Sequence, residues 1–187
     1  MGVECLRIIG GSKRGLKLIG FEGDSVRPTT DRVKENIFNI IAPYVTDAST
    51  LDLFGGTGAL SIEALSRGAR KAVVCDVAES SLSIIRTNLA KAEFSAAAQV
   101  IKADAVQYIS ATDESFDIIF IDPPYNTDLL EKALAAIAKN PRICPDGIIV
   151  CERDYEKELP NLSGLDVVKD KKYGRVQILV LRMPNGE

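Results

Sequence analysis

A glycine-rich turn is the first place where residue types and spacing point to chemistry. It follows an apolar run and reads Asp52-Leu53-Phe54-Gly55-Gly56-Thr57-Gly58. A strand that turns through glycines into a helix lets backbone N–H groups approach a ligand closely. The P-loop pattern is absent, and Ser61 stands where a third dinucleotide-binding glycine would fall. The turn therefore indicates a bound ligand but does not identify it.

Two acids follow the next two apolar runs. Asp76 comes 20 residues after Gly56, the spacing at which a carboxylate can accept hydrogen bonds from ribose hydroxyls. Asp104, with Ala105 beside it, ends the third run within reach of an adenine ring, although it would serve equally well as a helix N-cap. A glycine turn and two acids at successive strand ends favour a nucleoside-bearing cofactor, either a dinucleotide or S-adenosylmethionine.

The fourth apolar run leads into Asp122-Pro123-Pro124-Tyr125, which we predict to be catalytic. Two prolines make a rigid, extended bend, so a carboxylate and a proline carbonyl can hold both protons of an exocyclic NH2 group. Tyr125 offers a face on which a base can stack. Fixed acceptors of this kind orient the amine lone pair toward an electrophilic methyl group, which favours S-adenosylmethionine over a dinucleotide.

The composition excludes several other kinds of site. The 187 residues include no histidine, so Ser-His or Cys-His pairs and histidine-ligated metals are ruled out. The four cysteines lack CxxC spacing, and we expect reduced thiols and no metal. Without a signal peptide or an apolar run of about 20 residues, we expect a cytoplasmic protein that does not enter a membrane.

The elements that must position these groups form an α/β pattern. Continuous apolar runs predict strands, and amphipathic stretches between them predict helices, as in a parallel, doubly wound sheet. An antiparallel hairpin is predicted to finish the sheet. The predicted strands are Thr50–Phe54, 71–76, 98–102, 116–121, 147–152, 164–172 and 176–182; the predicted helices are 60–67, 79–91, 105–109 and 129–139.

Residues 1–45 differ in kind, and we predict a small N-terminal extension on a domain of residues 46–187. Its short strands, Leu6–Ile9 and Leu16–Ile19, flank a glycine turn. A helix over 31–41 follows, with Thr30 or Thr29 as its N-cap and Pro43 ending it. Residues 1–34 contain seven Lys/Arg and four acids, although the net charge of the whole chain is −3. Such a segment could contact phosphate, or could simply be solvated surface.

The combined motifs resemble the RsmD family of bacterial methyltransferases, which modify a guanine N2 in 16S ribosomal RNA. Besides the turn and the Asp-Pro-Pro-Tyr loop, the likeness rests on Arg7-Ile8-Ile9-Gly10-Gly11, Arg27-Pro28-Thr29-Thr30-Asp31-Arg32-Val33-Lys34-Glu35, Gly58-Ala59-Leu60 and Glu63-Ala64-Leu65-Ser66-Arg67-Gly68-Ala69. It covers nearly the whole chain, to about Arg182. Gly55, where alanine is frequent, and Cys75, where an aliphatic residue is usual, depart from the family pattern.

The resemblance implies a Rossmann-like class I methyltransferase fold with a seven-stranded sheet and S-adenosylmethionine as cofactor. It places the methionine part of the cofactor at residues 52–58, the ribose at Asp76 and the adenine at Asp104. The target guanine, unstacked or flipped out, would lie at residues 122–125. The expected partner is 16S ribosomal RNA within a small-subunit particle, its phosphates held by Arg7, Lys13, Arg14, Arg27 and Arg32.

Other functions remain open at this point. The acceptor loop alone would suit any planar amine, including a DNA adenine or a protein amide. A nucleotide-dependent oxidoreductase is disfavoured by Ser61 and by the proline loop. A non-catalytic RNA-binding relative would need neither the intact cofactor turn nor the acceptor loop.

Overall fold

The apolar runs assemble into one seven-stranded sheet. The computed structural model describes residues 6–21 and 31–184. The strands are β1 Ser49–Asp52, β2 Lys71–Asp76, β3 Ala98–Lys102, β4 Phe116–Ile121, β5 Ile143–Asp154, β6 Asp166–Tyr173 and β7 Val176–Arg182. Their order in the sheet is β3-β2-β1-β4-β5-β7-β6. Strands β1 to β5 pair in parallel, and β7 pairs antiparallel with both β5 and β6.

Helices cover both faces of this sheet. Successive residues of the central strands point to opposite faces, so Ile118 and Phe120 belong to one apolar cluster and Ile119 and Ile121 to the other. The helices are α1 Asp31–Ile40, α2 Ala42–Val45, α3 Ala59–Ser66, α4 Glu79–Lys91, α5 Ala105–Ala111 and α6 Leu129–Lys139, with short 3₁₀ turns at Gly11–Lys13 and Ser95–Ala97. The first cluster includes residues of α1, α3 and α4, and the second includes residues of α5 and α6.

The predicted doubly wound sheet with its terminal hairpin is confirmed, and most differences are at element ends. Strand β5 begins at Ile143 instead of residue 147, because Ile143 already pairs with Phe116 before an irregularity in the register. Pro43 follows the end of α1 and lies in the first turn of α2, where a missing N–H is tolerated. Among the described residues, no helix is long and apolar enough to cross a membrane.

The two predicted N-terminal segments pair antiparallel, although over too few residues to form regular strands. The Ile8 amide donates to the Leu16 carbonyl at 3.0 Å and the Leu18 amide to the Leu6 carbonyl at 2.8 Å, on either side of an isolated bridge between Arg7 and Lys17. A 3₁₀ turn lies between the two segments. The amides of Ile9 and Gly10 donate to the side chain of Glu63 on α3. Ile8 lies in the same apolar cluster as residues of α3 and α4. The division after residue 45 stays a prediction, and the Thr29 or Thr30 N-cap lies outside the described residues.

Candidate active site

The turn between β1 and α3 is held in shape by its own backbone. Gly56 and Gly58 have φ of +55° and +79°, in the left-handed region that favours glycine. The Gly58 amide donates to the Gly55 carbonyl at 2.7 Å. A Cβ added to Gly55 would lie 2.5 Å from Cγ1 of Val74. In this chain, therefore, glycine at position 55 is required by the packing of β2 against the turn.

Asp76, at the end of β2, fixes the same turn. One carboxylate oxygen accepts from the Gly56 amide at 2.9 Å, and the other from the Ala78 amide at 2.8 Å. The Thr57 carbonyl accepts from Asn88 on α4 at 2.9 Å. A carboxylate has about four lone-pair sites, so Asp76 can still accept hydrogen bonds from a ligand.

Asp52 lies beneath the turn and is 1% exposed. Its carboxylate accepts from the Ser61 hydroxyl at 3.1 Å and lies 3.4 Å from the Phe54 amide. Burial raises the pKa of Asp52 to about 7, and the nearby charge of Asp76 adds to the effect. Asp52 therefore supports the turn, and below about pH 7 it keeps a proton that most aspartates would have lost.

This raised pKa predicts a pH dependence of stability. Between about pH 4 and 7 the folded protein keeps the Asp52 proton and the unfolded chain loses it, so the free energy of unfolding falls as pH rises. The decrease is up to about 4 kcal/mol. We expect urea unfolding at pH 4 to 8 to show this decrease in the parent protein and not in Asp52→Asn. Identical pH profiles for the two proteins would contradict the assignment.

Asp104 has both of the roles considered for it, because it caps a helix and also lies in the wall of a cavity. Its carboxylate accepts from the Gln107 amide at 2.9 Å and so caps α5. It also lines, with Ala105, the large cavity at the carboxyl edge of the sheet. The capping contact fixes the carboxylate at the cavity wall.

That cavity, of about 770 Å³, brings most of the predicted site residues together. Its volume is in the range of small-molecule sites. Predicted residues that line it are Phe54, Gly56, Asp76, Asp104, Ala105, Asp122, Pro123, Pro124 and Tyr125. The predicted cofactor residues Asp52, Gly55, Thr57 and Gly58 are not among its lining residues; they lie in the turn or beneath it and shape it.

The Asp122–Tyr125 loop follows β4, the strand that pairs with β1, and lines the same cavity as the glycine turn. The Tyr125 hydroxyl donates to Glu152 at 2.7 Å, and the Thr127 hydroxyl donates to the Pro124 carbonyl at 2.7 Å. The Pro123 carbonyl accepts no hydrogen bond from another described residue. The loop therefore presents the Asp122 carboxylate, the Pro123 carbonyl and a fixed aromatic ring within one cavity.

Three cavity residues were not predicted: Glu152, Asp154 and Arg175. Glu152 and Asp154 lie at the end of β5 and are 6% and 3% exposed. Arg175, in the turn before β7, donates to Asp154 at 2.6 Å. Asp76 and Asp104 were predicted because they are acids at the end of an apolar strand. The same rule applied to β5 would have found Glu152 and Asp154.

Of the predicted RNA-binding residues, the four that the structure describes do not line the cavity. Arg7 pairs with Asp31 at 2.7 Å, and Lys13 pairs with Glu93. Arg14 and Arg32 are exposed, and Arg27 lies outside the described residues. In the parts of the chain that the structure describes, no group of three or more acids or cysteines could hold a metal ion.

Comparison with known proteins extends over nearly the whole chain. A family model described as "Conserved hypothetical protein 95" matches residues 6–182. YlbH of Bacillus subtilis, whose name assigns rRNA methylation provisionally, is 40% identical over 95% of this chain and 98% of its own. Ribosomal RNA small subunit methyltransferase D of Escherichia coli K12 is 35% identical over 94% and 88%. The solved structure of yhhF from Escherichia coli has a TM-score of 0.85 at 35% identity and covers 96% of this chain and 98% of its own.

Proposed function

The chain belongs to the RsmD family of ribosomal RNA small subunit methyltransferases, and from this premise we propose that it transfers a methyl group from S-adenosylmethionine to the exocyclic N2 amine of one guanine in 16S ribosomal RNA. One observation carries the proposal. The cavity that contains Gly56, Asp76 and Asp104 also contains the Asp122–Tyr125 acceptor loop. A nucleoside cofactor and a planar amine can therefore meet in one enclosed space.

The residues present fit the cofactor. Asp76 is fixed by two backbone amides and can accept from ribose hydroxyls. Val77 lines the cavity and is 62% exposed, which gives an apolar surface for adenine beside Asp104. The positive φ of Gly56 lets the backbone turn close to a ligand. S-adenosylmethionine, when bound, supplies the electrophilic methyl group on a sulfonium.

The protein's own contribution is to hold and orient the guanine. The N2 amine of the guanine donates one hydrogen bond to the Asp122 carboxylate and a second to the Pro123 carbonyl. These contacts reduce conjugation of the amine with the ring and aim its lone pair at the methyl group. Tyr125, held by Glu152, stacks on the base. The surplus amine proton can then pass to Asp122 or to water.

The decisive experiment measures the transfer of a labelled methyl group to 16S RNA that was purified from a strain lacking this protein. We expect label on one guanine N2, with small-subunit particles accepting more than free RNA. Particles from the parent strain should accept almost none, because that site is already methylated. Label on adenine or on ribosomal protein, or no transfer, would contradict the proposal. A ribosomal substrate also leads us to expect the protein in the cytoplasm.

We further propose that the basic N-terminal segment contacts RNA phosphates. Replacing Lys13 and Arg14 together by glutamate should weaken RNA binding and reduce the slope of log K against log salt by roughly 1 to 2, because counterion release is lost. Cofactor affinity should not change. Lys139→Glu, on the exposed end of α6, is the matched control. Equal salt slopes for the double variant and the control would reject the contact.

A further inference from the structure

The wall of the cavity beside Tyr125 carries an unusual balance of charge. Five acids line the cavity, and Arg175 is the one cation among the described lining residues. The acids are Asp76, Asp104, Asp122, Glu152 and Asp154. A cation at that position is not needed to hold an amine, so it calls for a separate explanation.

Two acids contact the guanidinium of Arg175, whose side chain is 57% exposed. Its Nη2 donates to Asp154 at 2.6 Å, and its Nε lies 3.2 Å from a carboxylate oxygen of Glu156. The Arg175 carbonyl accepts from the Tyr155 amide at 2.7 Å. Asp154 is 3% exposed and also accepts from the Glu156 amide at 3.0 Å. The anchor is therefore itself rigid.

One end of the guanidinium is available for a ligand. Nη1 of Arg175 has no hydrogen-bond partner among the described residues, although Nε and Nη2 are engaged. Val176, the next residue, pairs with Asp154 across β5 and β7, and Glu152 lies two residues earlier on β5. Since Glu152 accepts from the Tyr125 hydroxyl, Arg175 and Tyr125 lie on the same side of the cavity.

The edge of guanine matches this arrangement. It presents the N2 amine and N1–H as donors and O6 as an acceptor, whereas adenine presents an amine donor at position 6. Carboxylates can satisfy the two donors, but only a donor can satisfy O6. We propose that Arg175 is a specificity residue that donates from Nη1 to O6 of the target base while the amine lies at Asp122. This inference rests on the proposed function and adds the group that distinguishes guanine from other amine-bearing purines.

The test uses small-subunit particles reconstituted with 16S RNA that carries a chosen base at the methylated position. Guanine has both N2 and O6. 2-Aminopurine keeps the N2 amine and lacks O6, and 2,6-diaminopurine places an amine where O6 would be. Initial rates of methyl transfer to each base are compared for the parent protein, Arg175→Leu and Arg182→Leu. Arg182 lies at the other end of β7 and pairs with Asp166 at 3.8 Å on the surface, so it is a matched control.

We expect Arg175→Leu to lower kcat/KM for guanine about 10- to 100-fold, the effect of one lost charge-assisted hydrogen bond. The rate with 2-aminopurine should change little, so the preference for guanine over 2-aminopurine should fall by a similar factor. The preference over 2,6-diaminopurine should fall at least as much. Arg182→Leu should keep the parent ratios.

Equal losses on all three bases would overturn the inference, because a structural defect or a lost phosphate contact does not depend on O6. If Arg175→Leu fails to fold, Arg175→Lys keeps a charge beside Asp154 and supplies a second comparison of the same ratios. If the parent protein methylates guanine and a folded Arg175 variant keeps the parent preferences for guanine over the two analogues, only the role of Arg175 is rejected. Absence of guanine methylation by the parent protein would reject the proposed function as well.

Discussion

Asp122→Ala should lower kcat for methyl transfer by about 10²- to 10³-fold, the usual cost of removing one fixed polar group that acts mainly in the transition state. The carboxylate holds one amine proton of the base, and alanine leaves the amine conjugated and poorly aimed. The dissociation constant for S-adenosylmethionine should stay unchanged, because the proposed cofactor contacts are at the glycine turn, Asp76 and Asp104. Calorimetry with the cofactor and single-turnover rates with saturating particles measure the two effects separately.

Asp113→Ala is the matched control for this experiment. Asp113 is fully exposed, precedes β4 at the opposite edge of the sheet, and contacts Arg142 at 3.5 Å. Its removal should change neither quantity. Asp122→Asn keeps an acceptor oxygen without the charge and should lie between alanine and the parent enzyme. Near-normal turnover in Asp122→Ala with intact cofactor binding would exclude the carboxylate from the reaction.

The parallel strands and the acids at their ends were predictable because the signals are local. A continuous apolar run buried on both faces has a definite length, and the residue that ends it must lie at the carboxyl edge of the sheet. Strand β2, ending in Asp76, and strand β4, ending before Asp122, have the bounds predicted for them. From these ends alone, the Asp76, Asp104 and Asp122 positions could be assigned to one cavity.

Arg175 could not be assigned in this way, because its place depends on strand order. It lies in a turn between two antiparallel strands, far along the chain from Tyr125. Only the pairing of β7 with β5 brings it to the cavity. Hydropathy predicts that such a hairpin exists, but it does not predict which edge of the sheet the hairpin joins.

The N-terminal segment contains a contact that the sequence could not assign. Apolar residues on both sides of a glycine turn predict two short strands, and residues 6–8 and 16–18 pair antiparallel. The amides of residues 9 and 10, however, donate to the buried carboxylate of Glu63. Glu63 is the one charged residue of α3, and nothing local distinguishes it from a solvated acid. Its role depends on residues that are more than 50 positions away along the chain.

Glu63 is the centre of the largest stability effect that we expect. It is fully buried and accepts from the Ile9 and Gly10 amides at 2.8 Å each and from Nε of Arg67 at 2.7 Å. Nζ of Lys34, also fully buried, lies 3.7 Å away and donates to the Arg7 carbonyl. One carboxylate thus joins the N-terminal segment, α1 and α3, and α3 begins at the cofactor turn.

Glu63→Leu should lower the free energy of unfolding by about 3–5 kcal/mol, the cost of leaving a buried charge without its partner. Burial lowers the pKa of Lys34, and the charge of Glu63 opposes that effect. Without Glu63 the pKa of Lys34 in the folded protein falls further. The pH range between the folded and the unfolded pKa of Lys34 becomes wider, and within it the folded protein binds fewer protons than the unfolded chain. The variant should therefore regain stability as pH rises through that range.

Two further variants separate the buried pair from its neighbours, with urea unfolding as the measurement. Lys34→Met combined with Glu63→Leu should recover much of the loss, because replacing both members of a buried pair by apolar residues is often close to neutral. The residual loss belongs to the two amides left without an acceptor. Glu114→Leu breaks the exposed pair with Lys71 and should cost at most about 1 kcal/mol. Equal losses for Glu63→Leu and Glu114→Leu would show that the buried carboxylate does not hold the N-terminal segment in place.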